Sequence, residues 1–525
     1  MIAKEPRASI DLSHHINVVS RSRNPSPLKD IVKYMAVEGM VSLAGGLPHP
    51  SLFPFASVSL SAYKSNTVLD AYSPDEQHPL ADDINIGRDS AAEQMGLITA
   101  LQYDSGPGHT ALRTWAVKFV KEVFKPAYDD WDVILNSGNT DGWTKVVRLL
   151  CENGDYLLCE EQTYPSAQAV WAPMGCKALP IAIDDQGLRV DVLENLLSGW
   201  QSSHPGIRRP RLLYTVPVGS NPTGTTMQEA RKRAIYDVCV KYDIVICEDD
   251  PYYFLQYPTY NASQPPYDPL VAENTTVDEY VKGLAPSFMS LDYQGRVIRL
   301  ESFSKTLAPG NRVGFFVTNP IFIERLLRGT EVETQAPSGW AVLMLSNLLQ
   351  TWGSAGYLQW LAQLRNQYRA RRDWMCSALE SNFVLKSVDK VKDPPTGAEG
   401  LLAYANGQAK APIFSFVPPT AGMFLWARFY LYGSPRFQKL QQSADCIDPE
   451  KSFQDELWLA LANKLVLLTP GSYYTPWQGK DKVTTEARGA ENGICFFRLS
   501  FSMVTKEQME LGITRMHEVL QDFWQ

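Results

Sequence analysis

The sequence predicts an α/β protein of two lobes, a large α/β/α domain around a mostly parallel central sheet and a smaller α+β C-terminal domain. Three observations carry that expectation. The chain has 525 residues, whereas single hydrophobic cores stop growing near ~250–300 residues. From about residue 130 to 320, short runs that are apolar at every position alternate with helix-like stretches, the pattern of parallel strands buried on both faces. Beyond about 340 the pattern changes to long helical stretches, one strand and a closing amphipathic helix.

The strand-like runs are 132–136, 156–159, 212–216, 244–247, 297–300 and 313–317. Helices are expected at 144–151 and at 229–242, where Ala230, Ile235, Val238 and Cys239 fall roughly on one face. Four stretches interrupt the alternation and read as surface loops or insertions: acidic 66–94, Pro-rich 256–295, the Pro/Gly/Ala-rich 386–422 and polar 477–493. In the C-terminal part, helices are expected at 340–350, 358–380, 453–463 and 506–523, with a strand at 496–502. The expected division is an N-terminal arm and segment at 1–60 packing with the small domain, a large domain at 61–345 and a small domain at 346–525.

Composition excludes several classes. Apolar residues at 45% and charged residues at 20% match a globular chain. With 57 acids against 49 bases, the net charge of −8 argues against nucleic acid as a partner. No run of 18 apolar residues predicts a membrane span, the N-terminus lacks the apolar core of a secretory signal, and DFWQ is neither a prenylation box nor a peroxisomal tripeptide. Eight cysteines without a C-x-x-C pair read as reduced, mostly buried thiols in the cytoplasm. No repeat is found at a period of 20–50 residues.

Residues that carry chemistry collect behind the strand-like runs. After 132–136 come Ser137, Gly138, Asn139 and Thr140, a turn that opens a helix and offers free backbone N–H groups to an anion; an ordinary βα loop with a capping Asn or Thr reads the same way. After 212–216, Asn221-Pro222-Thr223-Gly224 makes a rigid turn that fixes the Asn221 amide at the carboxyl edge of the sheet, where open α/β sheets bind ligands; a plain turn is the alternative. Run 244–247 leads into Glu248, Asp249 and Asp250, and acids at the end of a buried strand need a cation or donors. A metal and simple solvation are two readings, but no histidine is near in sequence, and a cationic partner from a cofactor fits better. Run 297–300 leads into Ser302, Phe303, Ser304 and Lys305, then Arg312. A lysine behind an apolar strand can have a lowered pKa and act as a nucleophile, and Arg312 with the serines suits a phosphate; a solvated Lys/Arg turn is the bland reading. Together they place an anion cup, an amide, a carboxylate and a lysine at successive strand ends of one sheet.

These four motifs resemble those of the class I/II aminotransferases, fold-type I enzymes that use pyridoxal phosphate, and the match covers nearly the whole chain. Arg23-Asn24-Pro25-Ser26-Pro27, residues 42–48, Leu101-Gln102-Tyr103, Gly108 and Leu112-Arg113 look like the kynurenine/2-aminoadipate branch. The insertions, Pro-Gly-Ser at 470–472 and Phe497-Arg498 make the chain most similar to fungal aromatic aminotransferases. The resemblance implies pyridoxal 5′-phosphate linked to Lys305, which also serves as general acid/base. It implies Asp249 at the pyridinium nitrogen, Asn221 and Tyr252 at the phenolate oxygen, and Tyr164 stacked on the ring. Gly138, Asn139, Thr140, Ser302, Ser304 and Arg312 would hold the phosphate, with Tyr103 reaching in from a second subunit of a homodimer. Arg498 would grip the substrate α-carboxylate as a bidentate fork, and Gly46, Arg23 and Phe424 would border the side-chain pocket.

The implied reaction moves an amino group between an aromatic amino acid (phenylalanine, tyrosine, tryptophan or kynurenine) and a 2-oxo acid, 2-oxoglutarate foremost, by a ping-pong cycle. A 2-aminoadipate preference, or a lyase or decarboxylase on the same fold, is the alternative. A cofactor-sensing regulator is remote, because the 41 residues before Ser42 are too few for a DNA-binding domain. No metal is expected: His14 and His15 read as a solvated pair on a flexible arm. The 13 tryptophans and 24 tyrosines read mostly as packing.

Overall fold

The computed structural model describes residues 7–27, 34, 37–44, 46–67, 80–91, 94–104, 106–271, 275–405 and 411–525. Gly45 of the 42–48 motif, residues 68–79 and 92–93 of the acidic stretch, and 272–274 and 406–410 of two loop stretches lie outside the described residues.

An antiparallel hairpin of β1 (Val58–Tyr63) and β2 (Leu80–Ile86) comes first. β2 corrects the reading of 66–94 as a loop. Ile84 and Ile86 are buried while Asp83 and Asn85 face outward, a period-two strand that the density of acids concealed. The main sheet is built from β3 (Asp132–Asn136), β4 (Tyr156–Glu160), β5 (Lys177–Ile181), β8 (Leu212–Thr215), β9 (Val245–Asp249), β10 (Val297–Ser302) and β11 (Gly314–Thr318). A two-residue hairpin of β6 (Ile183–Asp184) and β7 (Gly187–Leu188) follows β5. The strand order is β3-β11-β10-β9-β8-β4-β5, and only β11 runs antiparallel to its neighbours. All residues of β8 to β11 are buried, as runs apolar throughout require. β5 was not anticipated; its sequence KALPI contains Pro180, which only an edge strand tolerates.

The second sheet is wholly antiparallel, with β12 (Val384–Ser387), β13 (Leu401–Tyr404), β14 (Phe414–Phe416), β15 (Phe424–Tyr430), β16 (Thr469–Pro470) and β17 (Ile494–Ser500) in the order β12-β13-β14-β15-β17-β16. β13 and β14 lie inside 386–422, so that stretch is also not simply a loop. Strands this short are outweighed in the sequence by the Pro and Gly around them. The helix Gly339–Asn382 is broken at Gly353, where φ +64 and ψ 175 leave the helical region. Leu343 and Leu349 before the break and Tyr357 just after it pack into the core with Trp115 and Phe119, while Met375 and Leu379 join the core of Phe414 and Leu520. The expected division at 345 therefore falls within a helix that both lobes share. The chain closes on Lys506–Trp524, whose N-terminus is a capping box of Thr505 and Gln508.

The N-terminal arm departs from expectation. Its hydrogen bonds among the described residues run to the large lobe, not the small one: Ser9 to Asp130, and the Ile10 N–H to the Gln294 carbonyl. The Asn17 amide donates to the carbonyls of Arg148 (2.7 Å) and Cys151 (2.8 Å), and its N–H to that of Leu149 (2.9 Å). These are the orphan carbonyls at the end of the helix Asn139–Leu150, which explains the docking. His14 and His15 are not solvated alike. His15 is buried, and both Nε2 atoms meet the Asp243 carboxylate, at 2.6 and 3.0 Å, which Arg296 shares at 3.2 Å. Burial pushes the His15 pKa down to about 4, so the ring docks uncharged. Among the described residues no helix is long and apolar enough to cross a membrane. All eight cysteines are free, seven of them buried.

Candidate active site

A cleft of about 360 Å³ opens at the carboxyl ends of β8, β9 and β10 and is closed by side chains from the second sheet. Each strand delivers its residues by alternation. At the end of β9 the three acids diverge. Asp249 faces the cleft, its Oδ1 accepting from the Asn139 amide and its Oδ2 from the Tyr214 hydroxyl, both at 2.7 Å. Glu248 and Asp250 face the opposite side, where the fully buried Arg299 lies within 3.2 and 3.3 Å of them and within 2.8 Å of Glu301. Arg299 is also sandwiched against the rings of Phe124 and Tyr253. Thus Glu248 and Asp250 find their cation in the chain itself, and of the three acids only Asp249 is left to meet a cationic partner in the cleft. Burial raises the Asp249 pKa, while Tyr214, Asn139 and the charge of Arg299 pull it down.

Lys305 follows β10 and lines the cleft, with no hydrogen bond or ion pair to its amine among the described residues. Burial, and then the charge of Arg498, lower its pKa, which favours a neutral, nucleophilic amine. Around the helix start at Asn139, Arg312 is held in the left-handed region (φ +50, ψ 46), donating to the carbonyls of Ser137 (3.1 Å) and Pro309 (3.0 Å). The Ser302 hydroxyl bonds that of Ser304 at 2.9 Å. Gly138 (φ +92, ψ 166) packs so closely here that a Cβ would stand 2.6 Å from Arg312 Nη2.

Across the cleft, Arg498 on β17 donates from Nη1 to Asn221 Oδ1 at 2.7 Å. Its guanidinium lies over the Phe424 ring, 4.2 Å from the centroid, and 5.2 Å from that of Tyr474. Its buried Nε has no partner. Burial lowers its pKa, and Tyr474, Tyr252 and Tyr164 oppose that shift. Tyr252 is buried edge-on to Phe424.

Asn139, Thr140, Tyr164, Asn221, Asp249, Tyr252, Ser302, Ser304, Lys305, Arg312, Phe424 and Arg498 therefore line one cleft, with Gly138 against Arg312. Three residues singled out in the sequence do not line it. Tyr103 is 64% exposed, Gly46 is exposed, and Arg23 donates to Glu333 at 3.2 Å. Sequence reasoning missed Tyr214, whose hydroxyl in the strand-like run 212–216 was a usable signal, since a buried tyrosine seeks a partner. It also missed Thr469, placed opposite Arg498 by the β16–β17 register, for which no local signal exists.

A large α/β lobe presenting a half-buried lysine, a buried carboxylate and a helix-start anion cup, faced by an arginine from an antiparallel lobe, is a site able to take a phosphorylated carbonyl cofactor and a carboxylate substrate. The chain belongs to the family Aminotransferase class I and II, whose description matches residues 91–515. An aromatic amino acid aminotransferase of Schizosaccharomyces pombe is 31% identical over 526 residues, covering 99% of each chain. The L-tyrosine:2-oxoglutarate aminotransferase amt1 of Serpula lacrymans is 32% identical over 470 residues, 89% of this chain and 84% of that one. The crystal structure of aminotransferase Aro8 from Candida albicans superposes with a TM-score of 0.82 at 31% identity, covering 98% of this chain and 99% of that one. The chain is an aminotransferase, and its cofactor is pyridoxal 5′-phosphate.

The residues present fit that cofactor. A Cβ on Gly138 would collide with Arg312 Nη2, so glycine keeps the backbone at the helix start open beside the guanidinium. Gly138→Ala forces a backbone region essentially reserved for glycine, a strain of about 1–3 kcal/mol. Relief requires displacing Arg312, so cofactor retention should weaken about 5- to 150-fold. Absorbance titration of the apoenzyme with pyridoxal phosphate measures this; an unchanged dissociation constant removes Gly138 from the cup.

Proposed function

We propose that this enzyme transfers the amino group of an aromatic amino acid to a 2-oxo acid, with 2-oxoglutarate as principal acceptor, by a ping-pong cycle. The observation that carries the reading is the position of Arg498: a fork for a carboxylate, walled by Phe424 and Tyr474, facing the cleft that holds Lys305. The names of the Schizosaccharomyces and Serpula relatives support the aromatic donor.

Bound pyridoxal phosphate supplies an aldehyde and a ring that withdraws the Cα electrons. Lys305 Nζ would hold the aldehyde end and would serve as the base for the proton on the substrate Cα. Asp249, pre-aligned by Tyr214 and Asn139, keeps the ring nitrogen protonated. Asn221 commits its Oδ1 to Arg498, which leaves Nδ2 to donate, with the Tyr252 hydroxyl, to the ring oxygen. Backbone N–H groups at Asn139 and Thr140, the hydroxyls of Ser302 and Ser304, and Arg312 hold the phosphate beside Gly138, and Tyr164 covers the ring. Residues 61–345 form the cofactor lobe and 346–525 the lobe that closes over it, with the kinked helix common to both.

The working unit is a homodimer, with Tyr103 completing the partner's site. Exposed apolar residues between the arm and that tyrosine, Val41, Leu43 and Leu52 among them, support a second copy covering this side. Eight free cysteines support a cytoplasmic setting. Arg23 is the residue that moves in to meet a dicarboxylate, leaving Glu333 to do so. Arg23→Ala should raise KM for 2-oxoglutarate and spare phenylpyruvate; equal, unchanged kinetics with both would discard that role. The reading as a whole is tested by a half-reaction panel, following conversion of the aldehyde form of the cofactor to the amine form with each amino acid. Failure of every aromatic donor beside success with 2-aminoadipate would reassign the substrate.

A further inference from the structure

Glu160 ends β4 and is 2% exposed, and among the described residues no lysine or arginine pairs with it. An unneutralised carboxyl in a dry interior is costly unless donors meet it. Two hydroxyls do: Thr215 Oγ1 donates to Oε1 at 2.7 Å and Ser220 Oγ to Oε2 at 3.0 Å. Both donors belong to the chain that builds the site. Thr215 ends β8 next to Tyr214, the partner of Asp249. Ser220 precedes Asn221 and pins its turn, donating its N–H to the Thr225 carbonyl (3.0 Å) and accepting from the Gly224 N–H (2.7 Å).

We infer that Glu160 is a positioning residue for the substrate-carboxylate grip, acting through Ser220 on Asn221 and so on Arg498. The inference deepens the proposed function and rests on it. One rigid acceptor clamps two neighbouring segments, β8 and the turn after it, so the Asn221 amide meets Arg498 without rearrangement. Burial pushes the Glu160 pKa up to about 7, against the opposing pull of Thr215, Ser220 and the Val216 N–H; no catalytic step uses this proton.

The test uses holoenzyme. Wild type, Glu160→Ala, Glu160→Gln and Ser220→Ala are first treated with borohydride to verify that the cofactor is on Lys305. Then KM and kcat for an aromatic donor, and the pH midpoint of the long-wavelength absorption, are measured. Glu160→Ala and Ser220→Ala should each raise the donor KM, with kcat/KM falling about 10- to 100-fold, the scale for a displaced reacting geometry. Both should shift the absorption midpoint, through Asn221. Glu160→Gln, which retains an acceptor, should recover most of the loss. The Glu160→Ala/Ser220→Ala double variant should lose little more than either single one, because they break one chain of contacts. A lowered melting temperature with KM and midpoint unchanged makes Glu160 merely structural and overturns the inference. If Glu160→Ala does not fold, Glu160→Gln and Ser220→Ala decide it: an unaffected KM in Ser220→Ala overturns it. A wild type without tag on Lys305 overturns the proposed function and this inference together, whereas a tagged wild type with unresponsive variants overturns only this one.

Discussion

Lys305→Ala is expected to abolish the long-wavelength absorption of the holoenzyme and nearly all turnover. The reason is the dual use of one amine. Its pKa is lowered by burial and by Arg498, so a neutral form is accessible without a separate base. The substitution removes both the covalent tether and the base at the substrate Cα, and loss of acid/base function alone costs about 10²–10⁴-fold. Cofactor binding should largely survive, because Arg312, Ser302, Ser304 and the helix start at Asn139 are untouched. Equilibrium dialysis alongside spectroscopy separates loss of cofactor from loss of chemistry. Retained turnover with an unaltered spectrum would refute the assignment of Lys305.

Arg498→Ala should produce the second large effect, a weakening of amino-acid binding by about 2–5 kcal/mol, the range for leaving a desolvated charge without its partner. In KM this corresponds to about 30- to 4,000-fold. Two losses combine: the substrate carboxylate loses its fork, and Asn221 Oδ1 loses its donor at 2.7 Å. Arg498→Lys should rescue little, because a point charge cannot span two oxygens or lie flat on Phe424. Steady-state KM for the donor, with kcat as control, is the measurement; an unchanged KM would move the grip elsewhere.

Much of this was legible from local sequence because buried parallel strands leave an unmistakable trace. The six apolar runs coincide with strands of the main sheet to within a residue or two, and the residues just past them are where the chemistry collects. Local pattern and structure diverge for two different reasons. β13 and β14 pair with the strands that flank them in sequence, but they are too short to stand out among the Pro and Gly around them. Thr469 reaches Arg498 only through strand register. Arg23, Gly46 and Tyr103 are a different case: the resemblance implied their roles, and in a single chain none lines the cleft. The Glu160 cluster had no motif at all, because its meaning lies in which hydroxyls it meets.

The alternation along β9 has a consequence for how the enzyme can change. Asp249 answers to whatever fills the cleft, while its neighbours Glu248 and Asp250 face the guanidinium behind the sheet, with Ser287 and the Phe288 N–H donating to Glu248 as well. Binding a ligand in front adds its free energy to the whole protein but mends nothing at the rear. Heat tolerance and reactivity are thus written on adjoining residues and joined by one charge, because the Arg299 guanidinium that holds the rear acids also pulls on Asp249, so a mutation there touches both.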